Sequence, residues 1–337
     1  MTLDHNLLAD IWFWLIGFVL ILYVVLDGFD LGAGVLHLGT RDERRRGFIV
    51  GALGYTWHAN QTWLVVLGGL LFGAFPLAYG VVLSALYIPI GLMLLGLILR
   101  GVSFEFREEA QNKMIWNLAL GGGSLLAALA QGFVLGGVLS GLPMNGNTYI
   151  GGIWAWLNPY ALLVSLGLVF GYLQLGATYL IIKTEPEMHV YLRERAAVAT
   201  FLALFLVIGA VIWSSLRTPF FVEKWLSWPG LLITSLPFVL ALFTFFLLLN
   251  TLRTGKNESA PFIQAICIFV FAFISLAGSL HPLILPPQVM VYEAAAPALT
   301  LKVMLFVIVP LLPVMLLYNA YQYKVFSGKD GEAGYGE

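Results

Sequence analysis

A chain of 337 residues that is 60% apolar and only 10% charged falls far below the roughly 25% charge of a soluble domain, so it reads as a polytopic membrane protein. A net charge of −1 without an extended basic run excludes nucleic acid as a partner, because phosphate binding needs clustered Lys or Arg. The single cysteine, Cys267, excludes an internal disulfide, a Cys-based cluster and a Cys-based zinc site, and reads as a small buried hydrophobe.

Residues 1–10 hold Asp4 and Asp10 but no Lys or Arg. They lack the basic start of a signal peptide, so the first apolar segment is expected to persist as a helix. With about 20 apolar residues per span, the chain divides into nine segments: 10–38, 49–74, 76–100, 114–139, 156–182, 196–216, 229–251, 260–282 and 299–323. Only Pro76 separates the second from the third, yet about 50 uncharged residues are too many for one crossing. Residues 1–326 thus form a single all-α membrane domain, and the Gly-rich, polar 327–337 is expected to be a disordered tail.

Basic residues fix the predicted orientation. Fourteen of the 17, including Arg41, Arg44, Arg45, Arg46, Arg100 and Arg107, follow odd-numbered segments, leaving Arg217, Lys224 and Lys302 on the other side. The positive-inside rule then places the amino terminus outside and the carboxyl terminus in the cytoplasm, as an odd number of spans requires. Trp12, Trp14, Trp154, Trp156, Trp225 and Trp228 fall at predicted outer ends and read as interface anchors. A weak repeat aligns Asp30-Leu31-Gly32-Ala33 with Gln174-Leu175-Gly176-Ala177, and the same offset of 144 aligns Trp12 with Trp156. This suggests two four-helix halves followed by one extra helix.

Two carboxylates, Asp27 and Asp30, interrupt the first segment. A charge in hydrocarbon costs about 2.5 to 3.5 kcal/mol on insertion scales, so such a group faces a protein interior or a water path. The pair is three apart and shares one helix face. At 1.5 Å per residue both lie about 12 to 17 Å above the cytoplasmic boundary, and His58 in the second segment lies at about the same depth. Around it runs the polar patch Trp57-His58-Ala59-Asn60-Gln61-Thr62-Trp63. Carboxylates and an imidazole at one level are the parts of a proton relay. A hydrogen-bonded cluster that only packs the first two segments together fits the spacing equally well. His37 reads as a headgroup-level residue, His281 as the cap of the eighth segment, and His5 and His189 fall outside the spans. Gly121-Gly122-Gly123 permits close helix approach and is not a phosphate loop, since no Lys-Ser or Lys-Thr follows. No haem-attachment or di-metal motif is present.

Several ordered motifs resemble those of one family, subunit II of the bacterial cytochrome bd quinol oxidases. They are Asp27-Gly28-Phe29-Asp30-Leu31-Gly32, Trp57-x-x-Asn60-Gln61-x-Trp63, Leu157-Asn158-Pro159 and the run from Gln174 to Leu180. Near the end come Leu299-Thr300-Leu301-Lys302-Val303-Met304 and Tyr318-Asn319-Ala320-Tyr321. The resemblance implies nine helices, as two four-helix bundles plus one peripheral helix, in a bacterial cytoplasmic membrane. It implies a heterodimer with a subunit I that carries the b and d haems and oxidises quinol, while this subunit ligates no haem. The complex would reduce oxygen to water with cytoplasmic protons, as part of electron transport in aerobic respiration. Small single-helix subunits and a structural quinone occur in the family, although the sequence carries no separate signal for either. The resemblance assigns a proton path to the position of His58, with Asp30 and Trp57 matching the family pattern, to which the shared depth adds Asp27, and an oxygen entrance to Trp63. Where the family pattern has Asp, this chain has His58, and Ala59 replaces Gly.

Two other classes remain open at this stage. A stand-alone proton-coupled transporter would use the same titratable groups but break its helices at mid-membrane, where only the glycines at 32–34 and 121–123 hint at a break. A haem-binding redox subunit is the third.

Overall fold

A computed structural model describes residues 4–54, 56–217 and 219–325. An uncharged chain in hydrocarbon satisfies its backbone polar groups by closing them into helix, and thirteen α-helices result among the described residues. The first six are α1 (His5–Gly39), α2 (Glu43–Leu53), α3 (Thr56–Ala74), α4 (Pro76–Ala85), α5 (Tyr87–Arg107) and α6 (Lys113–Leu139). After a small hairpin, β1 (Met144–Asn145) with β2 (Thr148–Tyr149), come α7 (Pro159–Lys183), α8 (Pro186–Arg217) and α9 (Pro219–Leu226). A π-helical turn, Leu231–Ser235, leads into α10 (Leu236–Thr254), followed by α11 (Ala260–Leu280). A second hairpin, β3 (Leu283–Leu285) with β4 (Val289–Met290), precedes α12 (Val291–Ala294) and α13 (Ala298–Val325).

Eight of these helices are long and apolar enough to cross a membrane alone, and α3 with α4 makes a ninth candidate, bent by 120°. The bend falls at Phe75-Pro76, where a helix tends to end because proline disfavours helical geometry in the residue before it. Residues 49–74 are not one rod. Gly54, at φ +49°, ends α2, a position open to glycine because it has no Cβ to clash. The third segment breaks at Leu86 and runs on to Arg107, and the sixth begins at Pro186, ten residues before its apolar stretch. The expected tail, 327–337, lies outside the described residues.

Local chemistry explains several boundaries. The Asp42 carboxylate accepts from the Arg44 and Arg45 amides (2.9 and 3.3 Å), so a charged stretch can open α2. Asn158 accepts from the Ala161 amide (2.9 Å) with Pro159 behind it, so Leu157-Asn158-Pro159 is a helix start. Gly255, at φ +65°, closes α10.

Helix α1 is central, packing against α3, α6 and α7, and every residue from Asp27 to Gly34 is buried. The two copies of the weak repeat meet there. A Cβ on Gly32 would stand 1.7 Å from the Tyr172 carbonyl oxygen, and one on Gly176 would stand 2.3 Å from the Ala33 nitrogen. The glycine run of α6 acts as read: Gly121 abuts Leu38 and the Gly34 carbonyl, and Gly123 abuts the Gly96 carbonyl. Both α1 and α6 pass through their glycines unbroken. Close approach, not a mid-membrane break, is what these glycines provide.

The tryptophans divide. Trp14, Trp154 and Trp228 are exposed, as anchors should be. Trp12 and Trp156 are core residues instead; the Trp12 indole donates to the Leu301 carbonyl (3.1 Å), tying α1 to α13. Cys267 is only partly buried.

Candidate functional site

The α1 carboxylates face inward, and each has a partner that the sequence reading did not name. Arg100 of α5 donates from Nη2 to Asp27 Oδ1 at 2.5 Å, with both side chains shut away from solvent (0 and 1% exposed). Asn60 of α3 donates from Nδ2 to Asp30 Oδ2 (2.8 Å) and accepts from the Tyr323 hydroxyl of α13 (2.7 Å). Four helices therefore converge on two acids three residues apart. Beside Asp27 lies the Tyr23 hydroxyl, which accepts from Gln131 Nε2 (2.7 Å), and Gln131 Oε1 accepts from the Tyr172 hydroxyl (2.6 Å). Together these groups link α1, α6 and α7 through side chains that carry no formal charge.

Charge bookkeeping is tight. A single buried guanidinium faces two carboxylates, since Arg100 lies in the field of Asp30 as well as of Asp27. Asp27 Oδ2, Asp30 Oδ1 and two Arg100 nitrogens have no hydrogen-bond partner among the described residues. Buried polar atoms left this way cost about 1 to 3 kcal/mol each unless water reaches them, so the site suits ordered water.

His58 does not join the acids. It shares a helix with Asn60 but points the other way, more than half exposed, stacking on Trp57 (3.5 Å between centroids) with Nε2 3.9 Å from Glu105 of α5. The geometry corrects the expectation of one three-member cluster: depth along the axis agrees, but residues two apart point to nearly opposite faces. Trp57 is buried against Phe104 and Gly101 of α5, and Trp63 is buried with its indole nitrogen unpartnered among the described residues.

A second polar cluster lies toward the Arg41–Arg46 end. Arg107, 4% exposed, donates from Nη2 to Glu43 Oε1 (2.5 Å) and from Nε to Asn117 Oδ1 (2.6 Å), and Asn117 Nδ2 donates to Glu43 Oε2 (3.0 Å). His37 beside it, two residues from the end of α1, is fully buried. His189 is buried in α8, and His281 pairs with Asp10 (2.9 Å) near Tyr292 at the other end. Counting Arg100 and Arg107 as loop cations hid both clusters. Their spacing, 100-103-107, was the available signal, since with Ser103 it puts three polar groups on one face of α5. No group of three or more His, Cys, Asp or Glu side chains among the described residues is placed to hold a metal ion.

Comparison with known proteins agrees with the sequence motifs. Residues 8–326 match the family model for cytochrome bd terminal oxidase subunit II. Cytochrome bd-I ubiquinol oxidase subunit 2 of Escherichia coli strain K12 is 30% identical, over 97% of this chain and 96% of its own. Cytochrome bd ubiquinol oxidase subunit 2 of Bacillus subtilis strain 168 is 26% identical, over 95% and 96%. A solved bd oxidase structure from Geobacillus thermodenitrificans superposes with a TM-score of 0.76 at 20% identity, covering 95% of this chain and 98% of that one, a likeness of fold. With a family model spanning nearly all of it and a 30% identical relative matched end to end, the chain belongs to the cytochrome bd terminal oxidase subunit II family.

Proposed function

We propose that this chain is the haem-free subunit of a quinol:oxygen oxidoreductase, and that it supplies a buried polar route for protons consumed when a haem-bearing subunit I reduces oxygen to water. The observation that carries this reading is the paired-acid site, where Asp27 and Asp30 share one guanidinium and each has a buried oxygen unpartnered among the described residues. In this reading the nine candidate spans make two four-helix bundles and one peripheral helix, α13, joined where α1 and α6 pack on α7, with the Arg41–Arg46 end cytoplasmic. His58 and Trp57 serve the route from its outer flank, where His58 and Glu105 face what would be lipid or the partner. Trp63 lines the oxygen approach. Four of the five histidines have neighbours that fit a haem-free role: His5 contacts the Ala296 carbonyl, His58 stacks on Trp57, His189 contacts the Thr184 carbonyl and His281 contacts Asp10, whereas His37 has both ring nitrogens unpartnered among the described residues.

The glycine runs give the transporter alternative no support, because α1 and α6 run unbroken past them; the one broken candidate span among the described residues, α3 with α4, bends at Phe75-Pro76, away from the acids. Co-purification in mild detergent tests the reading. A larger chain and its haem absorption should accompany this one, and the separated chain should have no Soret band. A Soret band on the isolated chain, or recovery of an active solitary chain, rejects it.

A further inference from the structure

From Asp27 to its end, helix α1 carries its polar residues at Asp27, Asp30 and His37, with Gly34 between. These positions fall on one face at steps of about one turn, 5.4 Å. The gap at Gly34 is filled from α6, because a Cβ there would stand 2.1 Å from Ser124 Oγ. Ser124 is fully buried and donates to the Leu120 carbonyl (2.7 Å), leaving its oxygen free to accept. Ser124 thus stands against α1 between the acids and His37, and beyond His37 come Asn117, Arg107 and the half-exposed Glu43.

His37 is the anomalous rung. It has no solvent exposure, yet neither ring nitrogen completes a hydrogen bond among the described residues, although the Asn117 amide lies alongside. Every charged group facing it belongs to the second cluster or its rim: Arg107 from α5, with Arg46 and Glu43 from α2. An imidazole with both nitrogens unsatisfied in the interior is costly unless water bonds to it. Glu43 is unsuited to carry protons, since Arg107, Asn117 and Arg46 all donate to it, so it positions the cluster.

We infer that His37 is the first proton-transferring residue on the Arg41–Arg46 side of this chain, passing protons by way of water at Ser124 to Asp30 and Asp27. The step is a tautomer exchange. One ring nitrogen accepts a proton from water on the Asn117 side, and the other releases its proton toward Ser124. The ring ends unchanged in charge, and a rotation of the ring resets it. This deepens the proton route proposed above and rests on it, and it sets the admission point inside the protein, not at the exposed His58–Glu105 pair.

The test uses the complete oxidase complex with saturating quinol, reading oxygen consumption against pH and haem content by absorption. His37→Ala is expected to slow turnover about tenfold or more at normal haem content, and added imidazole, which fits the space vacated, should restore at least half of the rate. Wild-type turnover, or a slow and fully assembled variant that imidazole does not rescue, overturns the inference. If His37→Ala does not assemble, His37→Gln retains the volume and hydrogen bonding without a basic nitrogen. It should flatten the pH profile, and a wild-type profile overturns the inference. Asp30→Asn separates the two levels of the reading. If it is slow while His37→Ala is normal, only the admission point is wrong, whereas if Asp30→Asn is also normal the whole route fails.

Discussion

Breaking the Asp27–Arg100 pair perturbs the site most directly. The two charges touch at 2.5 Å with side chains 1 and 0% exposed, so neither can rehydrate when the other is removed. At an effective dielectric of about 20 and a charge separation of about 4 Å, the attraction is about 4 kcal/mol. Breaking a buried pair by deleting one partner typically costs about 3 to 5 kcal/mol, because the survivor is left uncompensated. Arg100→Leu and Asp27→Leu should each destabilise the complex by about that much, and Arg100→Leu more severely, since it strips the counter-charge from Asp30 as well. The double variant removes both charges and should recover about 2 kcal/mol or more relative to the sum of the two. The assay is the fraction of complex remaining monodisperse and haem-loaded after heating in detergent, compared across the four proteins. If Arg100→Leu alone matches wild type, or if the two losses simply add, the buried pair is not what holds α5 to α1. A double variant that regains stability but not oxygen turnover would show that the charges are kept for transfer, not for folding.

Four further outcomes follow from the packing. Gly176→Ala should lower complex stability by about 1 to 3 kcal/mol or prevent assembly, because the new methyl meets α1 backbone at 2.3 Å. Gly122→Ala, where only Leu118 comes within 4.0 Å, should be neutral or slightly stabilising in the same heating assay. Tyr323→Phe removes the donor that orients Asn60 toward Asp30, so it should reduce turnover more than stability, with a loss of about 1 kcal/mol. His58→Asp sets a carboxylate near Glu105 on an exposed face; stability should change by about 0.5 kcal/mol or less, and a large loss would mean that His58 is buried against a partner.

Much of the architecture was legible because lipid imposes few choices. Span length, the pair of acids on one face and the close-packing glycines all follow from helix geometry and the cost of exposed polarity in hydrocarbon. Azimuth is what a single helix cannot reveal. Depth put His58 beside Asp30, yet the inward-facing residue is Asn60, and the pattern Trp57, Asn60, Trp63 at buried positions shows the face that a three-residue period would have picked out. Arg100 was masked by the positive-inside count, which treats every cation near a helix end as solvated. Tyr23, Gln131, Tyr172 and Tyr323 come from four helices, and nothing in sequence order brings them together. The same holds for Trp12, an anchor by composition but core by contact with Leu301.

Charge movement across the membrane is the most direct test. With the complex in liposomes, Asp30→Asn should bind its haems and take electrons from quinol normally, while the voltage generated as oxygen is reduced rises several-fold more slowly than in wild type. A voltage rise at the wild-type rate in that variant would contradict the claim that this chain carries the protons.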